Sequence, residues 1–318
     1  MFELLAQSPA LFIALTLVLG LLVGSFLNVV IYRLPVMLER EWRAQCAEHA
    51  QAQAQAQADH PQSANPQAAG AAAASTAHDE PPFNLVVPRS ACPHCRAPIS
   101  ALQNIPLISW LLLRGRCANC KAPISKRYPL IELVCGLLSA VVAWKFGWCW
   151  QALAALLVTW YLIALTGIDI DHQLLPDALT LPLLWGGLVA SLWWSPDSAH
   201  SLPVSPSDAI IGAAAGYLSL WCVYHLFKLL TGKDGMGYGD FKLLAALGAW
   251  LGWQMLLPIV LCSAAVGAFV GIALIVGRGR ERGIPIAFGP FLAAAGWLAM
   301  MWGPQWVASY LGLFAHSR

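Results

Sequence analysis

The chain has 318 residues, of which 58% are apolar and only 11% are charged. A soluble domain usually carries about a quarter charged residues, and the mean hydropathy of this chain is +0.63. This composition excludes an ordinary soluble enzyme and indicates a polytopic membrane protein. The net charge of +2 excludes little, so the distribution of the charged residues along the chain carries the information.

Apolar runs predict an all-α membrane protein with about eight transmembrane helices. A spanning helix needs about 17–25 mostly apolar residues. A shorter run at 240–253 spans the bilayer only if the glycines before it also enter the membrane. The other seven runs lie at 9–32, 129–147, 149–168, 178–194, 208–231, 254–277 and 287–314.

The first run predicts a retained membrane helix over 1–32. It is longer than the roughly 7–15 apolar residues of a secretory signal, and it lacks a basic segment before it, since Glu3 is the only charge there. A cytoplasmic domain over 33–128 follows. Residues 129–318 are expected to form a membrane domain of seven helices.

The basic residues predict the orientation of the chain. Lys and Arg accumulate in cytoplasmic loops, and 16 of the 18 lie in 33–127, 228–242 and 278–282. Eight spans with both termini outside place all three clusters on the cytoplasmic face. The lipid bilayer is therefore an expected partner of the chain, and no nucleic acid is expected.

The insert at 44–80 is rich in Ala and Gln. Its beginning could be helical, but nothing in it can build a core, so a flexible spacer is the favoured interpretation. The composition changes after Pro82, and the remainder, 83–128, contains paired cysteines, prolines and turn residues.

Two C-x-x-C pairs predict a structural zinc site. Such pairs supply four thiolates to a tetrahedral zinc, and a repeated A-P-I-S follows each pair. Disulfides are disfavoured in a reducing cytosol, and a redox pair and free thiols compete with the zinc interpretation. Four protein ligands leave no open position, so the zinc would not be catalytic. The ligands are Cys92, Cys95, Cys117 and Cys120.

Acidic residues follow the third apolar run. Asp169 comes directly after that run, at the membrane boundary, whereas Asp171 and Asp177 lie further along the loop. An ionisable residue at membrane depth is a functional-site hypothesis by default. Because Asp is a favoured N-cap residue, helix capping is the simpler interpretation of Asp177.

The stretch 235–240, Gly-Met-Gly-Tyr-Gly-Asp, places Asp240 at the start of another apolar run on the same face as Asp169. Two carboxylates in a partly dry site share a proton, as in the dyad of aspartic proteases. One member can then take a proton from water while the other polarises a carbonyl. Gly237 and Gly239 would allow unusual φ/ψ values and close approach of an extended substrate.

With these motifs, the chain closely resembles the type IV prepilin peptidases, which are bifunctional leader peptidase/N-methyltransferases. The resemblance covers nearly the whole chain. It rests on the G-S-F-L-N-V-V-I-Y-R-L-P motif at 24–35, the double C-x-x-C, the segment 169–177 and the Gly-x-Gly-Asp within 231–242.

The resemblance implies a membrane aspartic peptidase whose catalytic residues are Asp169 and Asp240. Its substrates would be prepilins of type IV pili and pseudopilins of type II secretion, cleaved after glycine at the end of a short basic leader on the cytoplasmic side. Methylation of the new amino terminus, usually Phe, would follow, with S-adenosylmethionine as the donor. The resemblance also implies an eight-helix bundle with a zinc-stabilised cytoplasmic domain.

The residues themselves do not indicate a methyl-donor site. The basic glycine site considered for this role is Arg114-Gly115-Arg116, next to the second cysteine pair, and a solvated turn is its favoured interpretation. Glu132, just inside the second span, is expected to pair with Lys242 or another inward-facing cation.

Two other functions compete with the peptidase. Presenilin-like and signal-peptide-peptidase-like proteases also use Gly-x-Gly-Asp, but they carry Pro-Ala-Leu after it, and here Pro-Ala-Leu occurs only at 9–11. A transporter could use Asp169 and Asp240 as coupling carboxylates in broken helices. Both carboxylates near one face, no obvious inverted repeat and a cysteine domain on that face argue against transport.

Overall fold

A computed structural model describes residues 7–59, 82–196, 202–233, 235–278 and 287–315. These residues form eight long helices and one short helix, with no β-strand among them. The helices are α1 Pro9–Asp59, α2 Ile108–Leu112, α3 Arg127–Phe146, α4 Trp150–His172, α5 Asp177–Ala190, α6 Pro206–Thr231, α7 Tyr238–Leu251, α8 Leu256–Arg278 and α9 Gly289–Ala315.

The all-α membrane fold is confirmed. Within the described residues, five helices are long and apolar enough to cross a membrane, namely α1, α3, α4, α6 and α8. The other long helices, α5, α7 and α9, fall in the remaining predicted runs. Each apolar run therefore corresponds to a helix.

Helix α7 is the centre of the membrane bundle. It has only 14 residues, yet it packs against α5, α6 and α9. Every residue from Asp240 to Leu251 is buried except Lys242. Since protein rather than lipid surrounds α7, its length is set by its neighbours and not by the thickness of the bilayer.

Small residues let α6 and α7 approach until their backbones touch. A Cβ atom on Gly212 would overlap the carbonyl oxygen of Gly248, and a Cβ on Gly248 would overlap that of Gly212. A Cβ on Gly216 would lie 2.7 Å from the oxygen of Leu244. In membranes such close contacts replace the hydrophobic effect as a source of helix association. They fix the position of α7, which carries Asp240.

The first helix differs from its prediction, because α1 continues past Tyr32 to Asp59. The Ala/Gln-rich stretch expected to be a flexible spacer is thus helical over 44–59, and 60–81 lie outside the described residues. Ala, Gln, Glu and Arg have high helix propensity. Extending an existing helix also avoids the cost of nucleation, so this stretch needs no core of its own.

Polar contacts attach α1 to the cysteine-rich segment 82–126 and to α3. Arg33 is buried and donates hydrogen bonds to the backbone oxygens of Asn84, at 2.9 Å, and Pro88, at 2.6 Å. Asn28 donates to the oxygen of Tyr128 at 3.2 Å. Within the 24–35 motif, Arg33 therefore connects α1 to the segment 82–126, and Asn28 connects α1 to α3.

Candidate active site

Three helix ends meet at one end of the bundle. Asp169 lies in the last turn of α4. Gln173 ends that helix in a left-handed conformation and donates its N–H to the backbone carbonyl oxygen of Asp169 at 2.9 Å. Asp240 lies in the first turn of α7. Gly289 is the first residue of α9.

The loop residue Leu175 connects these helix ends. A Cβ atom on Gly239 would lie 2.6 Å from the Cβ of Leu175. A Cβ on Gly289 would lie 2.6 Å from Asp169 Oδ2 and 3.3 Å from Leu175 Cδ1. Leu175 is therefore packed between the residue before Asp240 and the residue that contacts Asp169. The two aspartates are close enough to interact electrostatically.

The two carboxylates are buried but differ in their hydrogen bonds. Asp169 is 5% exposed, and its Oδ2 accepts the backbone N–H of Gly289 at 2.9 Å. Asp240 is 7% exposed, and its Oδ1 is a buried oxygen with no hydrogen-bond partner among the described residues. An unsatisfied buried polar atom costs about 1–3 kcal/mol. Such an atom beside a second buried carboxylate is typical of a catalytic site.

The other two acidic residues of the loop form ion pairs outside the dyad. The Asp171 carboxylate pairs with the guanidinium of Arg127 at 2.6 Å. Asp177 accepts Lys242 Nζ at 2.6 Å and 2.8 Å through its two carboxylate oxygens. A cation already neutralises each of them, so neither resembles the buried pair.

Two expectations for this region are wrong. Asp177 is not the N-cap of α5, because Pro176 occupies that position and the Asp177 carboxylate contacts Lys242 instead. Glu132 does not pair with Lys242. Its Oε2 accepts the backbone N–H of Leu107 at 2.9 Å. A sequence does not disclose which of several cations a carboxylate meets once the helices have packed.

The two glycines of the Gly-x-Gly-Asp motif differ in their surroundings. Gly237 is the N-cap of α7, and a Cβ there would meet Asp240 Oδ2 only at 3.8 Å. Among the described residues, the space beside Gly237 is thus open next to a carboxylate. Gly239, in contrast, is packed against Leu175. Neither glycine has a positive φ, so the expectation of unusual φ/ψ values is wrong, and close approach is the reason for glycine here.

The four predicted cysteines converge outside the membrane helices. Their Sγ atoms all lie within 4.8 Å of one another. Each pair forms the same turn, in which the first cysteine donates its N–H to an alanine five residues later, Cys92 to Ala97 at 3.0 Å and Cys117 to Ala122 at 2.8 Å. Repeated sequence thus produces repeated geometry. The arrangement is compatible with a structural zinc, for which four thiolates are the expected ligands.

Backbone N–H groups and desolvation shift the pKa values of Cys95, Cys117 and Cys120 in different directions. The N–H groups of Cys120 and Asn119 lower the pKa of Cys117 to about 6. The N–H of Ala97 lowers the pKa of Cys95. The N–H of Ala122 acts in the same direction on Cys120, but desolvation and the neighbouring thiols raise its pKa to about 11. Metal binding requires thiolates. The low pKa of Cys117 favours its thiolate at neutral pH, whereas Cys120 would lose its proton when a metal binds.

Two residues of the site were not predicted from the sequence. Gly289 donates its backbone N–H to Asp169 from α9, and Leu175 packs between the helix ends. The only sequence signal for Gly289 is its position in Phe288-Gly289-Pro290, because Pro is frequent in the first turn of a helix.

The fold and the site define a polytopic α-helical membrane protein with two buried, interacting carboxylates and a separate tetracysteine cluster. Residues 18–146 match the bacterial peptidase A24 N-terminal domain, and residues 155–272 match the type IV leader peptidase family. The chain belongs to the type IV leader peptidase family.

Curated relatives extend this similarity over nearly the whole chain. A prepilin leader peptidase/N-methyltransferase of Stutzerimonas stutzeri is 55% identical over 309 residues, which are 97% of each protein. One of Aeromonas hydrophila is 55% identical over 312 residues, 98% of each, and one of Pseudomonas aeruginosa is 51% identical over 309 residues, 97% of each. No solved structure matches the chain significantly.

Proposed function

We propose that this protein is a prepilin leader peptidase and N-methyltransferase, with Asp169 and Asp240 as the catalytic residues of the peptidase. The observation that carries the peptidase site is the pair of buried, interacting carboxylates on two helix ends. Full-length similarity to proteins named for both activities supports the two functions together.

The hydrogen bonds suggest a division of labour in the peptidase reaction. An N–H donor favours an ionised acceptor, so Asp169 is suited to take a proton from water. Asp240, whose Oδ1 has no donor among the described residues, is suited to carry the shared proton and donate it to the scissile carbonyl oxygen. Water then adds to the carbonyl carbon. When the tetrahedral intermediate collapses, the C–N bond breaks and the leaving nitrogen receives a proton.

The surroundings of the dyad fit an extended peptide with a small residue at the cleavage point. The open space beside Gly237 gives a substrate backbone access to Asp240, whereas Leu175 fills the space beside Gly239. We propose that Gly237 and Gly239 serve substrate access in this way. The substrates would be prepilins and pseudopilins, cleaved after the glycine that ends a short basic leader.

The proposed location is a bacterial inner membrane, with the dyad facing the cytoplasm and both termini in the periplasm. Basic residues support this orientation, because the loop segment 82–127 and the region around Lys228 and Lys242 are among the parts richest in Lys and Arg, as cytoplasmic segments are. In this arrangement 33–128 is a cytoplasmic domain, and 129–318 is the membrane domain that contains both aspartates.

The four cysteines are the proposed ligands of one zinc ion. When bound, zinc would cross-link the two turns of the segment 82–126, and the four thiolates would complete its tetrahedral coordination. The cluster therefore stabilises the domain and takes no part in peptide hydrolysis.

S-adenosylmethionine is the proposed methyl donor. The new terminal amine, usually that of Phe, would attack the methyl carbon as the carbon–sulfur bond breaks, and the amine would lose one proton. The relatives' names support this activity, and no residue of the chain is assigned to the donor.

One incubation tests both activities. The purified protein in lipid is mixed with a prepilin and S-adenosylmethionine, and the products are weighed by mass spectrometry. The proposal predicts a mature pilin that has lost its leader and gained one methyl group. Cleavage without methylation would support the peptidase activity and contradict the methyltransferase activity. An unprocessed prepilin would overturn the proposal.

A further inference from the structure

The segment before the second cysteine pair exposes large apolar side chains. In the short helix α2, Ile108 is 56% exposed, Leu111 is 66% exposed and Leu112 is 78% exposed. The preceding turn adds Leu102, which is 77% exposed. A soluble surface does not usually present such a cluster, and an exposed apolar patch marks a membrane or partner contact.

A hydrogen bond to the buried Glu132 places α2 at the depth of the membrane helices. The N–H of Leu107, the residue before α2, donates to Glu132 at 2.9 Å. Glu132 lies five residues into α3 from Arg127, a rise of about 7.5 Å. Its Cα lies only 2.8 Å from where a Cβ on Gly24 would be, and Gly24 belongs to the apolar run 9–32. The apolar side chains of α2 therefore lie at the level of the apolar run 9–32, which is within the hydrophobic part of the membrane.

Basic side chains follow α2 at once. Arg114, Arg116 and Lys121 line a cavity of about 450 Å³ together with Leu112 and Leu113. Gly115 makes the turn with a φ of +67°. A Cβ on Gly115 would lie 2.9 Å from the ring of Trp110, so that ring fixes the turn against α2.

We propose that α2 lies in the cytoplasmic leaflet of the bilayer and that the cavity of Arg114, Arg116 and Lys121 binds the phosphate of an anionic phospholipid headgroup. Amphipathic segments lie in the interface in this way, with the apolar side in the acyl chains and the basic side at the headgroups. Juxtamembrane Lys and Arg attract anionic lipid. The neighbouring apolar side chains, which lie at membrane depth, select a lipid as the source of the phosphate over a soluble anion.

Bound lipid would be a further attachment of the tetracysteine segment to the membrane, besides its contacts with α1 and α3. Arg33 holds its beginning to α1, and Glu132 holds Leu107 to α3. Bound lipid would hold the cavity that includes Lys121, the residue next to Cys120.

The test uses the full-length protein in nanodiscs of phosphatidylcholine alone or of phosphatidylcholine with phosphatidylglycerol. Trypsin cleavage after Arg114 and Arg116 is followed by mass spectrometry. Anionic lipid should slow cleavage at these bonds by about fivefold or more, while cleavage after Arg89, an exposed arginine outside the cavity, should not change. A photoactivatable phosphatidylglycerol should cross-link to the peptide 108–121.

Variants and a soluble anion separate the outcomes. In Arg116→Gln, the lipid-dependent protection of the Arg114 bond and the cross-link should fall several-fold, whereas Arg89→Gln should behave as wild type. Retained cross-linking in Arg116→Gln/Lys121→Gln would overturn the proposal. Equal cleavage in both kinds of nanodisc would also overturn it. Inorganic phosphate that protects the bonds in neutral nanodiscs would assign the cavity to a soluble anion instead.

Discussion

Substituting Gly289 by Ala tests the support of the dyad without removing either carboxylate. The added Cβ would lie 2.6 Å from Asp169 Oδ2, well inside van der Waals contact, so the carboxylate must turn away and lose the N–H of Gly289. Gly289 has no positive φ, so alanine fits the backbone and the perturbation is steric and local.

The structure sets the size of the effect. A hydrogen bond to a charged group contributes about 1.5–3 kcal/mol, and each 1.4 kcal/mol changes a rate about tenfold. Gly289→Ala should therefore reduce the rate of leader cleavage at saturating prepilin by about 10- to 100-fold. The assay compares the rate constants of wild type and variant in the same lipid.

Gly277→Ala is the matched control, because a Cβ there would meet no atom of the described part of the chain within 4 Å. It should cleave prepilin like the wild type. Both variants should unfold at temperatures close to that of the wild type. Gly289→Ala protein that is stably folded and cleaves at the wild-type rate would show that the contact between α9 and Asp169 does not support catalysis.

The remaining predictions concern the metal and the bundle. Purified protein should contain about one zinc per chain. Cys117→Ser should lose the zinc, whereas Cys46→Ser, which changes an exposed cysteine of α1, should retain it. Metal analysis of the three proteins measures the difference. Gly248→Ala should destabilise the bundle by at least about 1–3 kcal/mol, because its Cβ overlaps the carbonyl of Gly212. Gly186→Ala, where the new atom would make an ordinary 3.4 Å contact with Trp250, should leave the thermal unfolding temperature nearly unchanged.

The sequence predicts best what depends on local pattern. Apolar runs predicted the membrane helices, and the repeated C-x-x-C unit predicted a cluster whose sulfur atoms converge. The position of Asp169 and Asp240 at the ends of apolar runs predicted that they lie apart from ordinary loop residues, and both are buried and interact.

Features that depend on the packing of distant segments were not predictable in the same way. Gly289 reaches Asp169 across 120 positions of the chain, and Leu175 gains its place only when α4, α7 and α9 have assembled. The pairing of Lys242 with Asp177 rather than Glu132 has the same origin. The continuation of α1 was missed for a different reason, because the lack of a core was given more weight than helix propensity.

Cleavage of a prepilin by Asp169→Asn and Asp240→Asn tests the central claim most directly, with Asp171→Asn as the control for a carboxylate that is paired with Arg127. Asparagine preserves size while removing the group that exchanges protons. The account predicts that both dyad variants insert and fold but leave the prepilin unprocessed, whereas Asp171→Asn still cleaves it. Processing at the wild-type rate by either dyad variant would contradict the account.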